Sequence, residues 1–465
     1  MTDGTVPAMI AVHSALLNSG KVIFFGIFPQ NDNGGDPPPY NPAVLYDPVA
    51  NTIKEVPQNL GVNGQGFMTC GGESILPDGR LFVTGGIELP MSGNGRGIAN
   101  TYFFDPKTET WSPGPNMQIP RWYPTNVPMP DGTVLILSGH DANANEIVQS
   151  ETYNPVTNTT SLLPTSANDP DTSRSYTYPR MEVLPSGLVF KASQAAATYT
   201  YNPATQNWTF VANTNFGDRF FSGHVLMGDL KTVMVVGGSP TNVGGGTTST
   251  ATTETIDMSQ PNPTWVYGPS MNIARYNAAL EWLADGTLIA VGGGAGPGHY
   301  GSPIYQPEIY NPATQTWTVM AAQEGLRDYH SVADLLPDGR VISGGSTSGD
   351  QTQTTYEIFS PPYLFQGARP TITVSPKAIK YGQTFGIGTP NANTIKSVAL
   401  ILASTSTHTD DMNQRYIPLT FKVAHNNLSV IAPANANIAP PGYYMISIVN
   451  TSGVPAVMPF VQVHH

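Results

Sequence analysis

Three side chains that can bind a transition metal recur at one position relative to the turns of this sequence. Cys70, Tyr123 and His330 each lie eight residues before the aspartate of an Asp-Gly pair, and Tyr329 immediately precedes His330. Thiolate, phenolate and imidazole groups are ligands of transition metals. If the turns are equivalent in the fold, these side chains lie at equivalent places, and we expect them to converge on one site.

A second imidazole would complete such a site, and the best candidate is His408. It lies in the polar segment STSTHTDDMNQRYIPLTF, between two predicted strands. Two imidazoles and two phenolate oxygens in a near-planar set favour Cu(II) over zinc or magnesium. Because a free phenol ionises only near about pH 10, copper would have to lower the pKa of Tyr123 or Tyr329 for either to bind as phenolate.

Each of these residues also has an ordinary structural interpretation. Cys70 is the one cysteine of the chain, and a lone cysteine usually packs as a small buried hydrophobe. Tyr123 and Tyr329 could line a channel as β-favoured aromatic residues. His330 could be a satisfied polar residue of an inner strand, and His408 could lie in an exposed loop. The shared spacing favours a metal site over these alternatives.

Composition indicates an all-β protein and excludes several functions. Of 465 residues only 11% are charged, whereas Gly (47) and Pro (43) are abundant, as in turn-rich β folds. The net charge of −12 argues against nucleic-acid binding, because there is no basic surface to neutralise phosphates. No apolar run reaches the roughly 18 residues of a membrane span. One cysteine permits neither an intramolecular disulfide nor a cysteine-based zinc site.

Internal repeats account for the shared spacing. Each unit has an apolar stretch, a Ser/Asp-Gly turn, a second apolar stretch and a later turn such as NPATQNW or NPATQTW. This order predicts one four-stranded blade, and units of about 50 residues with this glycine pattern are typical of a seven-bladed, kelch-type β-propeller. The first turns of the units are Ser19-Gly20, Asp78-Gly79, Asp131-Gly132, Ser186-Gly187, a degenerate copy near Gly228-Asp229, Asp285-Gly286 and Asp338-Gly339.

The innermost strands of a propeller run along its axis, so their equivalent positions surround one point. We predict a propeller over residues 1–366 that carries most of the site, with an N-terminal strand completing the short seventh blade. Alternating strands over 369–465 predict a C-terminal immunoglobulin-like β-sandwich, which supplies His408. Neighbours in a regular strand point to opposite faces. Tyr329 and His330 can therefore reach one metal only if the backbone is irregular there.

The sequence resembles the copper radical oxidases, the galactose oxidase and glyoxal oxidase group. That family has a Cys in an early blade, a Tyr one blade later, a Tyr-His pair in the last blade and a His in the C-terminal domain. This chain has GFMTCGGESILPDGRLFVTGG, PRWYPTNVPMPDGTVLILSG, RDYHSVADLLPDGRVISGG and THTDDMNQRYIPLTF in that order. The resemblance covers essentially the whole chain, and RWYP is closer to the glyoxal oxidase branch.

The resemblance implies a role for each of these residues. A thioether would join Cys70 to the ring of Tyr123, which would be an equatorial ligand of one copper ion and carry a stable radical. Tyr329 would be the axial ligand and the base that takes the substrate hydroxyl proton. His330 and His408 would be the equatorial imidazoles. Copper handles one electron, and the tyrosyl radical would store the second that alcohol oxidation releases.

The sequence departs from galactose oxidase at the residue that covers the cross-link. That enzyme stacks a Trp there, eighteen residues after the radical Tyr, whereas this chain has Asp141, preceded by His140. We therefore expect no Trp at the cross-link, with His140 as a residue that could cover the ring.

Further residues are candidates for contact with the substrate or for the surroundings of the metal ligands, and the arginines among them lie near the starts of inner strands. The offset of His13 from its turn indicates a structural residue. Each arginine among the candidates could instead pair with a carboxylate. The candidates for substrate contact are His140, Asp141, Tyr178, Arg121, Arg275 and Arg327, with Arg219 and Phe220 as weaker ones.

The resemblance implies oxidation of a small primary alcohol or aldehyde by O2, with release of H2O2. The alternative is a non-catalytic extracellular kelch protein, for binding or structure, with a vestigial copper site. We expect a monomer without nucleic-acid partners. The N-terminal MTDGTVPAM lacks a signal-peptide pattern, so we expect a mature form of a secreted or cell-envelope protein. Substrate choice would depend on the mouth loops 87–100, 240–253 and 294–304.

Overall fold

The chain folds almost entirely into β-strands. A computed structural model describes residues 8–29, 41–59, 66–88, 95–171, 177–241, 249–296, 302–347, 352–408 and 410–465. Three short 3₁₀ segments lie within these ranges, Thr165–Ala167, Pro362–Phe365 and Ala392–Thr394. No helix of these ranges has the length and apolar character that crossing a bilayer requires.

Seven sheets of the described residues form the blades of the predicted β-propeller. Neighbouring strands within each blade are antiparallel. The first three blades contain β1 (Ile10–Leu16), β2 (Val22–Ile27), β3 (Ala43–Asp47) and β4 (Thr52–Glu55); β5 (Gly72–Ile75), β6 (Leu81–Thr84), β7 (Thr101–Asp105) and β8 (Thr110–Pro113); and β9 (Thr125–Pro128), β10 (Val134–Leu137), β11 (Glu151–Asn154) and β12 (Thr159–Leu162).

The remaining four blades repeat this order, except that the seventh has three strands among the described residues. They contain β13 (Arg180–Val183), β14 (Val189–Ser193), β15 (Ala197–Asn202) and β16 (Asn207–Asn213); β17 (Gly223–Leu226), β18 (Thr232–Val236), β19 (Thr253–Asp257) and β20 (Trp265–Tyr267); β21 (Ala279–Trp282), β22 (Leu288–Val291), β23 (Glu308–Asn311) and β24 (Thr316–Val319); and β25 (Ser331–Leu335), β26 (Val341–Gly345) and β27 (Tyr356–Phe359).

The repeated sequence motifs form turns and contacts between blades. Gly339 has φ of +85° in the hairpin turn between β25 and β26, a conformation that glycine adopts without steric cost. The Asp338 carboxylate accepts a hydrogen bond from the Arg340 N–H at 3.0 Å in the same turn. The tryptophan of the later turn joins blades, since Trp317 Nε1 donates to the Pro269 carbonyl of the preceding blade at 3.0 Å. The repeated motif therefore stabilises both the hairpin turn within a blade and the contact between neighbouring blades.

Burial decreases from the axis of the propeller outward. Every residue of β1 and β5 is buried, whereas β4 and β8 are mostly exposed. The first strand of each blade is thus enclosed on both faces, so its side chains either pack in the core or line the central channel. Cys70, Tyr123, Tyr329 and His330 directly precede inner strands, whereas His408 follows β31 of the C-terminal part of the chain.

The C-terminal strands form two sheets around a separate apolar core, as predicted for a β-sandwich. One sheet has the order β28-β37-β36-β30-β33 and the other β29-β35-β34. The strands are β28 (Ala378–Lys380), β29 (Thr384–Gly388), β30 (Ile395–Leu402), β31 (Thr405–Thr407), β32 (Asp410–Asp411), β33 (Tyr416–Leu419), β34 (Phe421–Ala424), β35 (Asn427–Ile431), β36 (Gly442–Asn450) and β37 (Phe460–His464). The domain boundary at residues 366–369 stays a prediction.

The hairpin of β31 and β32 leaves the sandwich and joins the first blade. Its β31 pairs with the innermost strand β1, with Ser14 opposite Ser406 and His13 opposite Thr407. The first blade is thereby extended to six strands in the order β32-β31-β1-β2-β3-β4. Strand β1 is thus the inner strand of the first blade. The N-terminal strand that we expect to complete the seventh blade would precede β1, and residues 1–7 lie outside the described residues.

Candidate metal centre

The position eight residues before each turn has a left-handed backbone in six blades. These residues precede the inner strands and have φ between +46° and +65°. Non-glycine residues rarely adopt this conformation, and it turns the side chain away from the direction that a regular strand would give it. They are Cys70, Tyr123, Tyr178, Phe221, Asn277 and His330. The backbone irregularity that the sequence analysis required is therefore present.

This irregularity explains how adjacent residues Tyr329 and His330 reach one site. A turn precedes β25, in which the Ser331 N–H donates to the Asp328 carbonyl at 3.2 Å. His330 has φ of +61°, and its ring lies 3.9 Å from the ring of Tyr329, centroid to centroid. The Tyr329 carbonyl accepts the Thr347 N–H at 2.7 Å. Both side chains are buried and lie on the same side of the chain.

The five predicted site residues come together in one buried cluster. Cys70 Sγ lies 3.9 Å from His330 Nε2 and 3.7 Å from His408 Nε2. The Oη atoms of Tyr123 and Tyr329 are in direct contact. The His408 ring lies edge-on to the rings of Tyr123 and Tyr329, at 5.0 and 5.1 Å between centroids. Side chains from three blades and the C-terminal hairpin thus face one small volume.

Both imidazoles are oriented by a threonine at their other nitrogen. Thr347 Oγ1 lies 3.0 Å from His330 Nδ1, and Thr407 Oγ1 lies 2.7 Å from His408 Nδ1. Thr407 donates its hydroxyl proton to the Val12 carbonyl at 2.9 Å, so it can only accept a hydrogen bond from His408. The proton of neutral His408 is therefore on Nδ1, and Nε2 has a lone pair available for a metal.

Burial disfavours a negative charge on the phenols of the site. It is the main reason that the pKa of Tyr123 is well above its ordinary value, with smaller contributions from Cys70 and Tyr329. Burial likewise raises the pKa of Tyr178, whose hydroxyl donates to the Gly71 carbonyl at 2.9 Å. A phenolate at Tyr123 therefore requires a cation in contact with it.

A tryptophan does cover the ring of Tyr123, contrary to the expectation from the sequence. The Trp122 indole lies 4.1 Å from the Tyr123 ring, centroid to centroid, at an interplanar angle of 34°. His140 stacks behind it, 5.5 Å from the indole. A Cβ on Gly95 would meet the indole at 2.4 Å, so this glycine lies close against the ring. His140 therefore covers Trp122 rather than Tyr123.

Two further candidates have clear structural contacts. The Asp141 carboxylate accepts hydrogen bonds from the N–H groups of Asn143 and Asn145 at 2.7 and 2.9 Å, which stabilise a turn. The Tyr178 ring packs against Tyr123 and His408, with both centroid distances at 4.9 Å. A substrate role for His140, Asp141 and Tyr178 stays a prediction.

Each candidate arginine is buried beside a glutamate on the third strand of its own blade. The nitrogen to oxygen distances are 3.0 Å for Arg121 and Glu151, and 2.8 Å for Arg275 and Glu308. Arg219–Glu254 and Arg327–Glu357 repeat the arrangement at 2.7 and 3.3 Å. This placement favours the alternative that the arginines pair with carboxylates, and their role at the substrate mouth stays a prediction. The three mouth loops lie partly outside the described residues.

Sequence reasoning missed Trp122 and the two threonines and assigned His13 only a structural role. Trp122 directly precedes Tyr123, and a left-handed residue brings its predecessor to the same side, as it does for Tyr329. Thr407 directly precedes His408, so the Thr-His pair in the sequence could have indicated that this threonine orients the imidazole. His13 was judged by its offset from the turn, but β1 has a bulge between Ala11 and His13 that changes this offset.

Comparison with known proteins identifies the family. The family profile described as glyoxal oxidase N-terminus matches residues 39–363, and that described as galactose oxidase-like, early set domain matches residues 369–463. The chain belongs to the glyoxal oxidase and galactose oxidase family of copper radical oxidases. The family resemblance drawn from the sequence is thereby confirmed.

Relatives of this copper radical oxidase cover most of its length. It is 28% identical to galactose oxidase of Gibberella zeae over 98% of this chain and 69% of that protein. It is 30% identical to the aldehyde oxidase GLOX of Vitis pseudoreticulata, over 84% of this chain and 81% of that protein. A solved structure of a fungal alcohol oxidase of the AA5 family, in complex with copper, superposes with a TM-score of 0.86 at 24% identity, covering 99% and 98% of the two chains.

The donor set of this copper radical oxidase fits a copper ion. Ligand atoms of Cys70, His330 and His408 lie within 4.8 Å of one another, and the contacting Oη atoms of Tyr123 and Tyr329 adjoin them. Two neutral imidazoles with phenolate oxygens suit Cu(II). Among the described residues, the group of possible ligands at this point contains no carboxylate.

Proposed function

We propose that the protein oxidises small primary alcohols or aldehydes with O2 and releases H2O2, by means of one copper ion and a radical on Tyr123 cross-linked to Cys70. The observation that carries this proposal is the convergence of Cys70, Tyr123, Tyr329, His330 and His408 on one buried point. The named activities of the relatives, galactose and aldehyde oxidation, support it.

Tyr329, His330, His408 and cross-linked Tyr123 would hold the copper. Copper supplies a one-electron acceptor and a Lewis acid that lowers the pKa of the phenols bound to it. Tyr329 would accept the proton of the substrate hydroxyl, because its Oη faces the common volume beside Tyr123. Tyr123 would then accept a hydrogen atom from the substrate carbon. The ortho sulfur of Cys70 delocalises the unpaired electron and so stabilises the radical.

Trp122 would shield the radical from solvent and from side reactions. Its indole covers Tyr123 on the face toward His140, while Tyr178 packs against an edge of the ring. Exclusion of water protects reactive intermediates. A site without a covering tryptophan would fit the alternative of a vestigial copper site, and the contact of Trp122 with Tyr123 argues against that alternative. We further propose extracellular or cell-envelope localisation, where released peroxide would be used.

A substrate panel tests the proposed function. The copper-loaded protein is mixed in air with short primary alcohols, aldehydes and sugars, and peroxide release is followed with a coupled peroxidase. We expect turnover with at least one class and consumption of one O2 per peroxide. Tyr329→Phe, which keeps the ring and removes the base, should lose about 10²–10⁴-fold in rate. Copper-loaded protein that releases no peroxide with any member of the panel would contradict the proposal.

A further inference from the structure

The N–H of Cys70 donates a hydrogen bond to an imidazole. In the next two blades, the residues with the same left-handed backbone, Tyr123 and Tyr178, donate their N–H groups to backbone carbonyls. The Tyr123 N–H donates to the Cys70 carbonyl at 2.8 Å, and the Tyr178 N–H donates to the Tyr123 carbonyl at 3.1 Å. In both cases a carbonyl of one blade accepts a hydrogen bond from an N–H of the next blade along the chain. Cys70 instead donates its N–H to His13 Nε2, on the first blade, at 2.8 Å.

The His13 ring is held by stacking on one face and by the Cys70 N–H at Nε2. It is fully buried and stacks on Phe25 at 4.6 Å between centroids, with the planes 8° apart. Its Nδ1 lies 3.5 Å from Glu73 Oε1. Because Nε2 accepts the Cys70 N–H, the imidazole proton is on Nδ1 and faces Glu73.

We propose that His13 positions Cys70 for attachment to Tyr123, an inference that rests on the proposed function. Cys70 has φ of +61°, a conformation that non-glycine residues rarely adopt, and its N–H lies where water cannot replace a lost partner. Accepting this hydrogen bond fixes the peptide plane before Cys70, and with it the direction of the bond from Cα to Cβ. His13 contacts neither substrate nor metal in this role and is a positioning residue.

The step that His13 would favour is formation of the thioether. The Cys70 S–H bond and one ring C–H bond of Tyr123 break, and a bond forms between sulfur and the ring carbon. Two protons and two electrons pass to O2, which becomes H2O2. Bond formation between groups held by one scaffold is sensitive to displacements of about 1 Å, which can cost on the order of 10²-fold in rate.

The rate of this step can be measured without any assay of turnover. Protein produced without copper is mixed with Cu(II) in air, and intact mass is followed for the loss of two hydrogens, about two mass units. His13→Phe keeps an aromatic ring against Phe25 but has no acceptor for the Cys70 N–H. We expect it to cross-link about 10- to 100-fold more slowly, with unchanged copper affinity, because His13 is not a ligand.

Two comparisons separate positioning from a general loss of stability. Thr69→Val removes a buried hydrogen bond one residue before Cys70, from Thr69 Oγ1 to the Gly26 carbonyl at 2.9 Å, and should cross-link at the wild-type rate. His13→Gln retains an acceptor that can reach the Cys70 N–H, whereas the shorter His13→Asn does not. We expect the Gln variant to be the faster of the two, whether or not His13→Phe folds.

The outcomes distinguish this inference from the proposed function. Wild-type protein that binds copper and loses no mass would contradict the proposed function itself. Wild-type protein that loses two mass units, together with His13→Phe at the wild-type rate, would overturn only the role of His13. Equal rates for His13→Gln and His13→Asn would overturn it as well.

Discussion

Replacement of Thr407 by valine should weaken copper binding although Thr407 is not a ligand. Its hydroxyl accepts a hydrogen bond from His408 Nδ1 at 2.7 Å and donates one to the Val12 carbonyl at 2.9 Å. Valine has nearly the same shape and provides neither hydrogen bond. His408 then loses the partner that selects its Nδ1–H tautomer, and the hairpin loses one link to β1.

The expected size of the effect follows from these two hydrogen bonds. Loss of a partner that orients a metal-binding histidine typically costs about 10- to 100-fold in metal affinity, which is about 1.4–2.8 kcal/mol. Loss of the bond to Val12 leaves a buried carbonyl without that donor and should cost about 1–3 kcal/mol of folding stability. The first loss should be seen in the folded protein at a temperature well below unfolding.

Competition with a chelator of known copper affinity measures this effect, and Thr405→Val is a matched control. Thr405 is equally buried, lies two residues earlier on β31, and its hydroxyl has no hydrogen-bond partner among the described residues. We expect lower copper affinity for Thr407→Val and wild-type affinity for Thr405→Val. Wild-type affinity in Thr407→Val, or an equal loss in both variants, would show that Thr407 does not orient His408 for copper binding.

Three further predictions concern the cross-link, the blade ion pairs and pH. Cys70→Ala should fold and bind copper but lose nearly all peroxide release, and unchanged activity would exclude a role for the sulfur. Glu308→Ala leaves Arg275 buried without its 2.8 Å partner and should lose about 3–5 kcal/mol in denaturant titration; exposed Asp78→Ala, the control, should lose under about 1 kcal/mol. Burial raises the pKa of Glu182 from 4.5 to about 8. The folded state therefore retains a proton that the unfolded state releases, so stability should fall as pH rises from about 4.5 to 8. In Glu182→Gln this fall should be smaller, and an identical pH profile would contradict the assignment.

Most of the fold could be predicted because each blade carries its own turn chemistry. Asp-Gly pairs and the tryptophan of the later turn act locally, so a pattern in the sequence translates directly into a hairpin or a contact between blades. The pairing of β31 with β1 could not be predicted in this way. It joins segments almost 400 residues apart, and short polar strands such as Thr405–Thr407 have no pattern that specifies a distant partner.

The sequence indicated which residues form the candidate site, but it did not indicate the backbone conformation that brings them together. Spacing from the turns selected Cys70, Tyr123 and His330, because equivalent positions of a propeller surround one axis. The left-handed backbone at these positions could not be read from the residue types, since Cys and Tyr carry no preference for it and only His is enriched in this conformation. Trp122 was overlooked because a regular strand would have pointed it away from Tyr123.

The arginines show why residue type alone does not assign function. Four of them lie near inner strand starts, and their positions are equally compatible with a substrate mouth or a structural ion pair. The glutamates that pair with them are some 30 residues later on third strands, as Glu151 is for Arg121. Only the folded blade brings the two side chains together.

The central claim is that remote parts of the chain enclose one copper ion beside a cysteine bonded to a tyrosine. Crystallography of the copper-loaded protein, with anomalous diffraction at the copper absorption edge, tests it most directly. We expect one anomalous peak within bonding distance of four atoms, His330 Nε2, His408 Nε2 and the hydroxyl oxygens of Tyr123 and Tyr329. We also expect continuous density from Cys70 Sγ to the Tyr123 ring. A peak elsewhere, or a clear gap between sulfur and ring in protein exposed to copper and air, would contradict it.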